Sequence, residues 1–139
     1  MPFFMARKSR IPAALAELLV HGKRHAWTLE EFRDDLARGG ERADFSSVFR
    51  AAEKLVADGR MRKLTLADGR ARFEPAGDHH DHLHCTRCDE LVPLPCVVHA
   101  NAFAALEART GAQIAEHNIV FSGICRDCRR EKTPRRRRR

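Results

Sequence analysis

Two Cys-x2-Cys pairs constrain the fold of this chain more than any other feature of its sequence. Cys85-Thr86-Arg87-Cys88 and Cys125-Arg126-Asp127-Cys128 supply four thiols within 139 residues. Four thiolates suit Zn(II), a soft cation that accepts a closed tetrahedral cage, although a disulfide pair and an iron–sulfur site are alternatives. The 36 residues between the pairs exceed a zinc-ribbon interval. We therefore expect a structural zinc ion that joins two remote turns of one domain.

Charge is distributed unevenly along the chain. Residues 1–72 carry 15 basic against 10 acidic side chains, residues 73–125 carry 2 against 7, and residues 126–139 carry 9 against 2. The basic first part indicates a nucleic-acid partner. There is no apolar run near the ~18 residues of a membrane span and no secretory signal pattern, so we predict a cytoplasmic protein with no membrane partner.

The first part of the chain has the order of elements of a winged helix. Helical spacing predicts a helix between Ile11 and Gly22, and Thr28-Leu29-Glu30-Glu31 is a capping-box motif that begins a second helix. Strands predicted over Met61–Leu66 and Ala71–Phe73 flank Asp68-Gly69, a dipeptide favoured in hairpin turns. Between them, a third amphipathic helix is predicted after Asp44, with one apolar face made of Phe45, Val48, Phe49, Ala52, Leu55 and Val56.

The second part reads as a smaller unit with a sheet. Strands are predicted over Leu83–Cys85, Leu91–Leu94 and Ile119–Ile124, and a helix over Ala100–Thr110 stopped by Gly111. The predicted fold class is α+β, with an N-terminal winged-helix DNA-binding domain followed by a small α/β dimerisation domain that holds the four-cysteine zinc site. The predicted bounds are 1–74 for the winged helix, 75–77 for a hinge, 78–131 for the dimerisation domain and 132–139 for a disordered basic tail.

A run of histidines leads directly into the first cysteine pair. In His79-His80-Asp81-His82-Leu83-His84, an extended backbone would turn His80, His82 and His84 to one side and His79 and Asp81 to the other. One short segment therefore predicts ligands for two different metal sites. The alternative is a polar loop whose histidines are merely exposed.

Three pieces of the sequence resemble the ferric uptake regulator (Fur) family of bacterial metalloregulators. Ser46-Ser47-Val48-Phe49-Arg50 is similar to the start of the family's recognition helix. Phe73-Glu74 followed by the histidine run and the first cysteine pair is the most specific piece. The third piece is His117, eight residues before the second cysteine pair, and the resemblance covers nearly the whole chain.

The resemblance implies a metal-dependent transcriptional repressor. The implied protein is a homodimer that binds an inverted-repeat operator in double-stranded DNA, with a divalent metal as corepressor. The implied sites are structural zinc at Cys85, Cys88, Cys125 and Cys128; a regulatory metal at Glu74, His80 and His82, with His25 as a substitute ligand; an additional metal site at His79, Asp81 and His117; and DNA contacts from Ser46, Ser47 and Arg50 on the third helix and from Arg60, Arg62 and Lys63 near the wing.

The chain departs from the family pattern at several ligand positions. Ala26 stands where the family usually has a histidine, and His25 is its neighbour. The acidic ligands expected after the second cysteine would fall near Pro93 and Ala100, with Glu90 and His99 as nearby candidates only. Phe49 also replaces the usual tyrosine of the recognition helix.

The metal and the function class have defined alternatives. Mixed oxygen and nitrogen ligands suit Fe(II), Mn(II) or Zn(II), and we favour Fe(II). Cys96 and His99 form a Cys-x2-His pair that would fit a zinc-uptake-type repressor of the same family, unless Cys96 is simply a small buried residue. A hydrolase using His80, Asp81 and His82, or a structural zinc adaptor, are the other classes. Without HExxH, a phosphate loop or a nucleophile with an evident base, we predict no enzyme activity and no small organic substrate.

Overall fold

The computed structural model describes residues 9–131, so the tail predicted for 132–139 lies outside the described residues. The chain divides into two compact units, one ending at Gly77 and the other beginning at Asp78. The division falls directly after the predicted hinge. None of the described helices is long and apolar enough to span a membrane.

Within residues 9–77, the first unit contains three helices and a two-stranded sheet. The helices are α1 (Ile11–His21), α2 (Leu29–Arg38) and α3 (Phe45–Ala57). The capping box is present at the start of α2, where the Thr28 hydroxyl accepts from the Glu31 backbone N–H at 3.1 Å and the Glu31 carboxylate accepts from the Thr28 N–H at 2.9 Å. The apolar faces of the helices enclose a core that includes Leu15, Phe32 and Leu55.

A hairpin completes this unit. Strands β1 (Met61–Thr65) and β2 (Ala71–Pro75) pair antiparallel. They are joined by a turn in which Gly69 has a φ of 78°, a left-handed conformation that glycine adopts without steric cost. Three helices followed by a hairpin form a winged helix, as predicted.

One backbone pairing in the first unit is not predicted from the sequence, and it determines where His25 lies. Trp27 forms an isolated bridge with Phe73, through reciprocal backbone hydrogen bonds of 2.8 Å. The Trp27 ring is fully buried and stacks on Phe32 at a centroid distance of 5.2 Å. The segment before α2 is therefore attached to β2, and His25 lies close to Glu74.

Within residues 78–131, the second unit contains a three-stranded sheet and two helices. It contains β3 (Asp81–Cys85), β4 (Leu91–Leu94), α4 (Ala100–Thr110), β5 (Val120–Gly123) and α5 (Arg126–Arg130). Strand β3 is central, with β4 antiparallel on one side and β5 parallel on the other. The mixed helix and sheet content agrees with the predicted α+β class.

One prediction about the core is wrong. Phe45 and Phe49 were assigned to the apolar face of α3, but their side chains are 43% and 44% exposed. The buried face of α3 is narrower and is formed by Val48, Ala51, Ala52 and Leu55. Phe45 is the first residue of α3, and Phe49 lies one turn further on, so both share the exposed N-terminal part of the helix with Arg50.

Candidate metal centres and nucleic-acid surface

The four cysteines of the two Cys-x2-Cys pairs meet at one end of the second unit's sheet. We call Cys85, Cys88, Cys125 and Cys128 the thiolate cluster. Cys85 ends β3, Cys88 lies in the turn that follows, and Cys125 and Cys128 come after β5, at the same edge because β3 and β5 are parallel. The four sulfur atoms all lie within 4.8 Å of one another. Three of the four residues are buried.

Backbone groups around this cluster are arranged to stabilise negative sulfur. The Cys85 sulfur accepts hydrogen bonds from the N–H groups of Cys125 at 3.3 Å and Cys88 at 3.5 Å, and the Cys125 sulfur accepts from the N–H of Cys128 at 3.5 Å. Burial alone would raise the pKa of the Cys85 thiol, but these backbone donors lower it to about 6. One thiolate is therefore formed readily at neutral pH.

Two of the other thiols resist ionisation at neutral pH. Burial raises the pKa of Cys88, and burial together with the Cys125 thiol raises the pKa of Cys128 to about 11. The spacing of the sulfur atoms fits zinc. Its ~2.3 Å bonds to sulfur give a tetrahedral edge of about 3.8 Å, and the Cys88 and Cys125 sulfur atoms are 3.8 Å apart. The four cysteines therefore fit a zinc site, and no disulfide joins any of the five cysteines in this structure.

The second cluster lies at the opposite end of β3. His79, Asp81, Cys96 and His117 bring their ligand atoms within 4.8 Å of one another, and we call them the mixed cluster. The structure thus brings together the three residues predicted for an additional site and adds Cys96. The sequence indicated Cys96 only as half of a pair with His99, but His99 is exposed and lies outside this cluster.

The residues predicted for the regulatory metal come from both units, and each half has its own geometry. In the first unit, His25 Nε2 lies 2.7 Å from Glu74 Oε2, and Arg62 Nε lies 3.4 Å from Glu74 Oε1. In the second unit, the rings of His80 and His82 lie edge to face at a centroid distance of 4.6 Å. Neither half contains a cysteine.

The predicted DNA-contacting residues occupy different environments. Ser46 and Arg50 are exposed on α3, Ser47 is half-buried, and Arg60 is exposed just before β1. Lys63 forms a 2.8 Å ion pair with Glu53. Arg62 is turned towards Glu74 and the Gly77 carbonyl, so its side chain contacts a predicted metal ligand.

His84 and Glu90 lie outside both the thiolate cluster and the mixed cluster. His84 forms a 2.6 Å contact between its Nε2 and Asp89 Oδ1. Glu90 is exposed, and its carbonyl accepts a hydrogen bond from the Cys85 N–H. Within the described residues, Glu90 therefore contributes to the turn of the thiolate cluster through its backbone.

Comparison with known proteins identifies the class. The model of the ferric uptake regulator family matches residues 7–122. The chain is 25% identical over 113 residues to the ferric uptake regulation protein of Legionella pneumophila, covering 81% of this chain and 83% of that protein. It is 27% identical over 130 residues to the zinc uptake regulation protein of Mycobacterium tuberculosis, covering 88% of this chain and 95% of that protein.

A solved structure shows the same fold. The crystal structure of the Vibrio cholerae ferric uptake regulator aligns with a TM-score of 0.74 at 22% identity, covering 86% of this chain and 92% of that chain. The family match, which spans most of the chain, shows that this protein belongs to the ferric uptake regulator family. Proteins of this family are metal-responsive transcriptional regulators, not enzymes, and bind operator DNA as dimers.

Proposed function

We propose that this protein is a metal-dependent repressor in which a divalent corepressor metal binds Glu74, His80, His82 and His25. The observation that carries the proposal is the 2.7 Å pair of His25 and Glu74 in the winged-helix unit. Glu74 lies on β2, the second strand of the wing, so a ligand to metal is built into the DNA-binding element itself. A cytoplasmic location accompanies this role, since the operator DNA is there.

The control mechanism follows from ligands that belong to two units. A metal that binds all four side chains has a higher affinity for the arrangement in which the hinge is fixed, and it shifts the population towards that arrangement. Arg62 takes part because it contacts the same carboxylate. Metal bound to Glu74 competes with the Arg62 guanidinium, which then becomes available for a phosphate.

The ligand chemistry favours Fe(II) as the corepressor. Imidazole and carboxylate suit Fe(II), Mn(II) and Zn(II), and these four residues offer no thiolate that would select a softer metal. A zinc-uptake-type repressor is the second candidate. It is supported by Cys96, which lies in the mixed cluster, and by the likeness to a zinc uptake regulation protein.

The DNA surface would be the exposed N-terminal part of α3 together with the wing. Arg50 and Ser46 are exposed there beside Phe45 and Phe49. An arginine can read guanine or bind phosphate, and an exposed aromatic ring suits the methyl group of thymine. Arg60 and Lys63 lie where wing residues would meet phosphates.

The dimer surface would lie on the second unit. Within the described part of the chain, no side chain of α4 is buried. Leu106 on α4 is 49% exposed, and Phe121 on β5 is 45% exposed. Exposed apolar side chains on a small domain are typical of a surface that pairs with a second copy of the chain. Sedimentation of the full chain measures this oligomeric state directly.

Removing the regulatory metal is expected to abolish specific DNA binding. Because the metal stabilises the DNA-competent arrangement, chelation that leaves the structural zinc in place should lower operator affinity on the order of 100-fold. The measurement is fluorescence anisotropy with a palindromic operator, before chelation and after each of Fe(II), Mn(II) and Zn(II) is restored. Unchanged binding in the chelated protein would contradict the switch, and the metal restoring binding at the lowest free concentration identifies the corepressor.

Replacing Arg50 with alanine is expected to weaken operator binding by about 1–3 kcal/mol if Arg50 reads a base. If it binds only phosphate, the salt dependence of binding becomes shallower by about one unit and sequence preference is retained. Binding is measured at several salt concentrations with the operator and with unrelated DNA. Arg109→Ala, an exposed helix arginine in the second unit, is the matched control and should leave both quantities unchanged.

A further inference from the structure

We propose that the mixed cluster is a second, zinc-selective metal site in which the Cys96 thiolate is a direct ligand beside His79, Asp81 and His117. The inference concerns a different set of residues from the proposed regulatory site. It also goes beyond the sequence-based expectation, which assigned this site only nitrogen and oxygen ligands.

Most of the distances within the cluster match those expected around one small cation. His79 Nε2 and His117 Nε2 are 2.9 Å apart, and Cys96 Sγ is 3.3 Å from His117 Nε2. Asp81 Oδ1 is 3.7 Å from His79 Nε2 and 3.5 Å from His117 Nε2. Ligands at ~2.0–2.3 Å from tetrahedral zinc are separated by about 3.3–3.8 Å. Three of the four separations lie within this range, and the two imidazole nitrogens, which are at hydrogen-bond distance, are somewhat closer.

The topology of the sheet explains why four remote residues meet here. Asp81 is the first residue of β3, and it pairs with Leu94, the last residue of β4, because those strands are antiparallel. Cys96 follows Leu94 by two residues. Strand β5 runs parallel to β3, so the segment that enters β5, which carries His117, arrives at the same edge. Asp81 lies on a strand, and Cys96 and His117 lie within three residues of a strand end, so the pairing of the sheet brings the ligands together.

Asp81 supplies an independent indication of a ligand. Its side chain is only 1% exposed. Oδ1 accepts a hydrogen bond from the Ile119 N–H at 3.3 Å, whereas Oδ2 is buried with no hydrogen-bond partner among the described residues. A buried carboxylate oxygen without a partner is unfavourable, and a bound cation would remove that cost.

The thiolate determines which cation is preferred. Fe(II) and Mn(II) favour nitrogen and oxygen donors, whereas a cysteine sulfur shifts a four-ligand site towards Zn(II). Two imidazoles, one carboxylate and one thiolate also complete a closed tetrahedral set without water, which is typical of a zinc site that is retained. The mixed cluster therefore selects zinc even if the regulatory site responds to iron.

Metal binding here would also order the segment that leads into α4. Cys96 lies four residues before the first residue of α4, and the Phe103 ring of α4 packs on His117 at a centroid distance of 4.9 Å. One ion would then bind Cys96, which precedes α4, and His117, on which Phe103 of α4 packs. Zinc at this site accordingly stabilises the helix that carries the proposed dimer surface.

The test uses the full-length dimer with its structural zinc retained, and Co(II) as the probe. Because the thiolate cluster keeps its zinc and the proposed regulatory site has no sulfur, a thiolate-to-cobalt charge-transfer band in the near ultraviolet reports Cys96. We expect this band to saturate at one equivalent per chain and Zn(II) to displace the cobalt. Co(II) bound with no charge-transfer band would overturn the proposal.

Two variants give the second readout. Cys96→Ser should remove the band and lower Zn(II) affinity by at least the 10- to 100-fold that the loss of a supporting partner costs a metal site, with a much smaller effect on Mn(II) affinity. His99→Ala, the exposed neighbour in the same Cys-x2-His pair, should leave band and affinity unchanged. Equal Zn(II) affinity in Cys96→Ser and the wild type would overturn the assignment. These readouts measure metal binding at the mixed cluster and do not involve DNA. Their failure is therefore distinguishable from a failure of metal-dependent operator binding.

Discussion

Cys125→Ser is expected to release the structural zinc and unfold the second unit while the first unit stays folded. The buried apolar cluster around this site consists of Cys85, Cys125 and Cys128 themselves, with Cys88, Val92 and Ile124 packed against them. The metal thus replaces most of a core. Structural zinc in small sites contributes on the order of 10–16 kcal/mol to folding at pH 7. The free energy lost when the zinc is released should therefore exceed the free energy of unfolding of so small a unit.

The two units can be followed separately in the same sample. Trp27 is the one tryptophan of the chain and is buried in the first unit's core. Its fluorescence should keep the emission of a buried indole in Cys125→Ser, while the zinc of the thiolate cluster is lost and part of the far-ultraviolet circular dichroism disappears. His99→Ala is the control, since it changes an exposed side chain of the second unit that belongs to neither metal cluster. A Cys125→Ser protein that retained full zinc and the wild-type melting curve would disprove the structural role.

His82→Ala is expected to lower metal-activated operator binding on the order of 100-fold at limiting metal. His82 is buried on β3, with its ring against His80, and belongs to the proposed regulatory set. Loss of one of four ligands weakens the metal that fixes the hinge, and operator affinity falls with it because the two equilibria are linked. Binding is measured by anisotropy as the free metal concentration is raised.

The control for this prediction lies two residues away on the same strand. His84 is paired with Asp89, so His84→Ala removes an imidazole outside the proposed set. It should bind operator at wild-type metal concentrations. Excess metal should restore DNA binding in His82→Ala, which separates a weakened site from a misfolded protein. Wild-type metal dependence in His82→Ala would exclude His82 from the corepressor site.

Local signals in the sequence predicted local structure well. The capping box at Thr28 and the Asp68-Gly69 turn are determined by nearby residues, and both are present. The bounds of α4 agree with the prediction because Gly111 adopts the left-handed conformation, with a φ of 72°, that ends a helix. The four cysteines were identified as one site because their spacing leaves few alternatives.

The sequence pattern does not predict which strands pair when they lie far apart in the chain. Whether β5 joins β3 parallel depends on contacts between strands far apart in the chain, and only that pairing brings His117 to Asp81. The bridge between Trp27 and Phe73, which brings His25 to Glu74, is another case. The apolar face of α3 was overestimated because helical periodicity shows which side chains share a face and not how far the neighbouring elements extend over it.

Strand β3 is only five residues long, yet its first residue belongs to the mixed cluster and its last to the thiolate cluster. A slip of one residue in its pairing would turn every side chain to the opposite face and misplace Asp81 and Cys85 together. An ion bound at one cluster therefore stabilises the register of β3 that the other cluster requires. The two sites should load cooperatively although they share no ligand, so a cell short of zinc would contain chains that are mostly filled at both positions or empty at both.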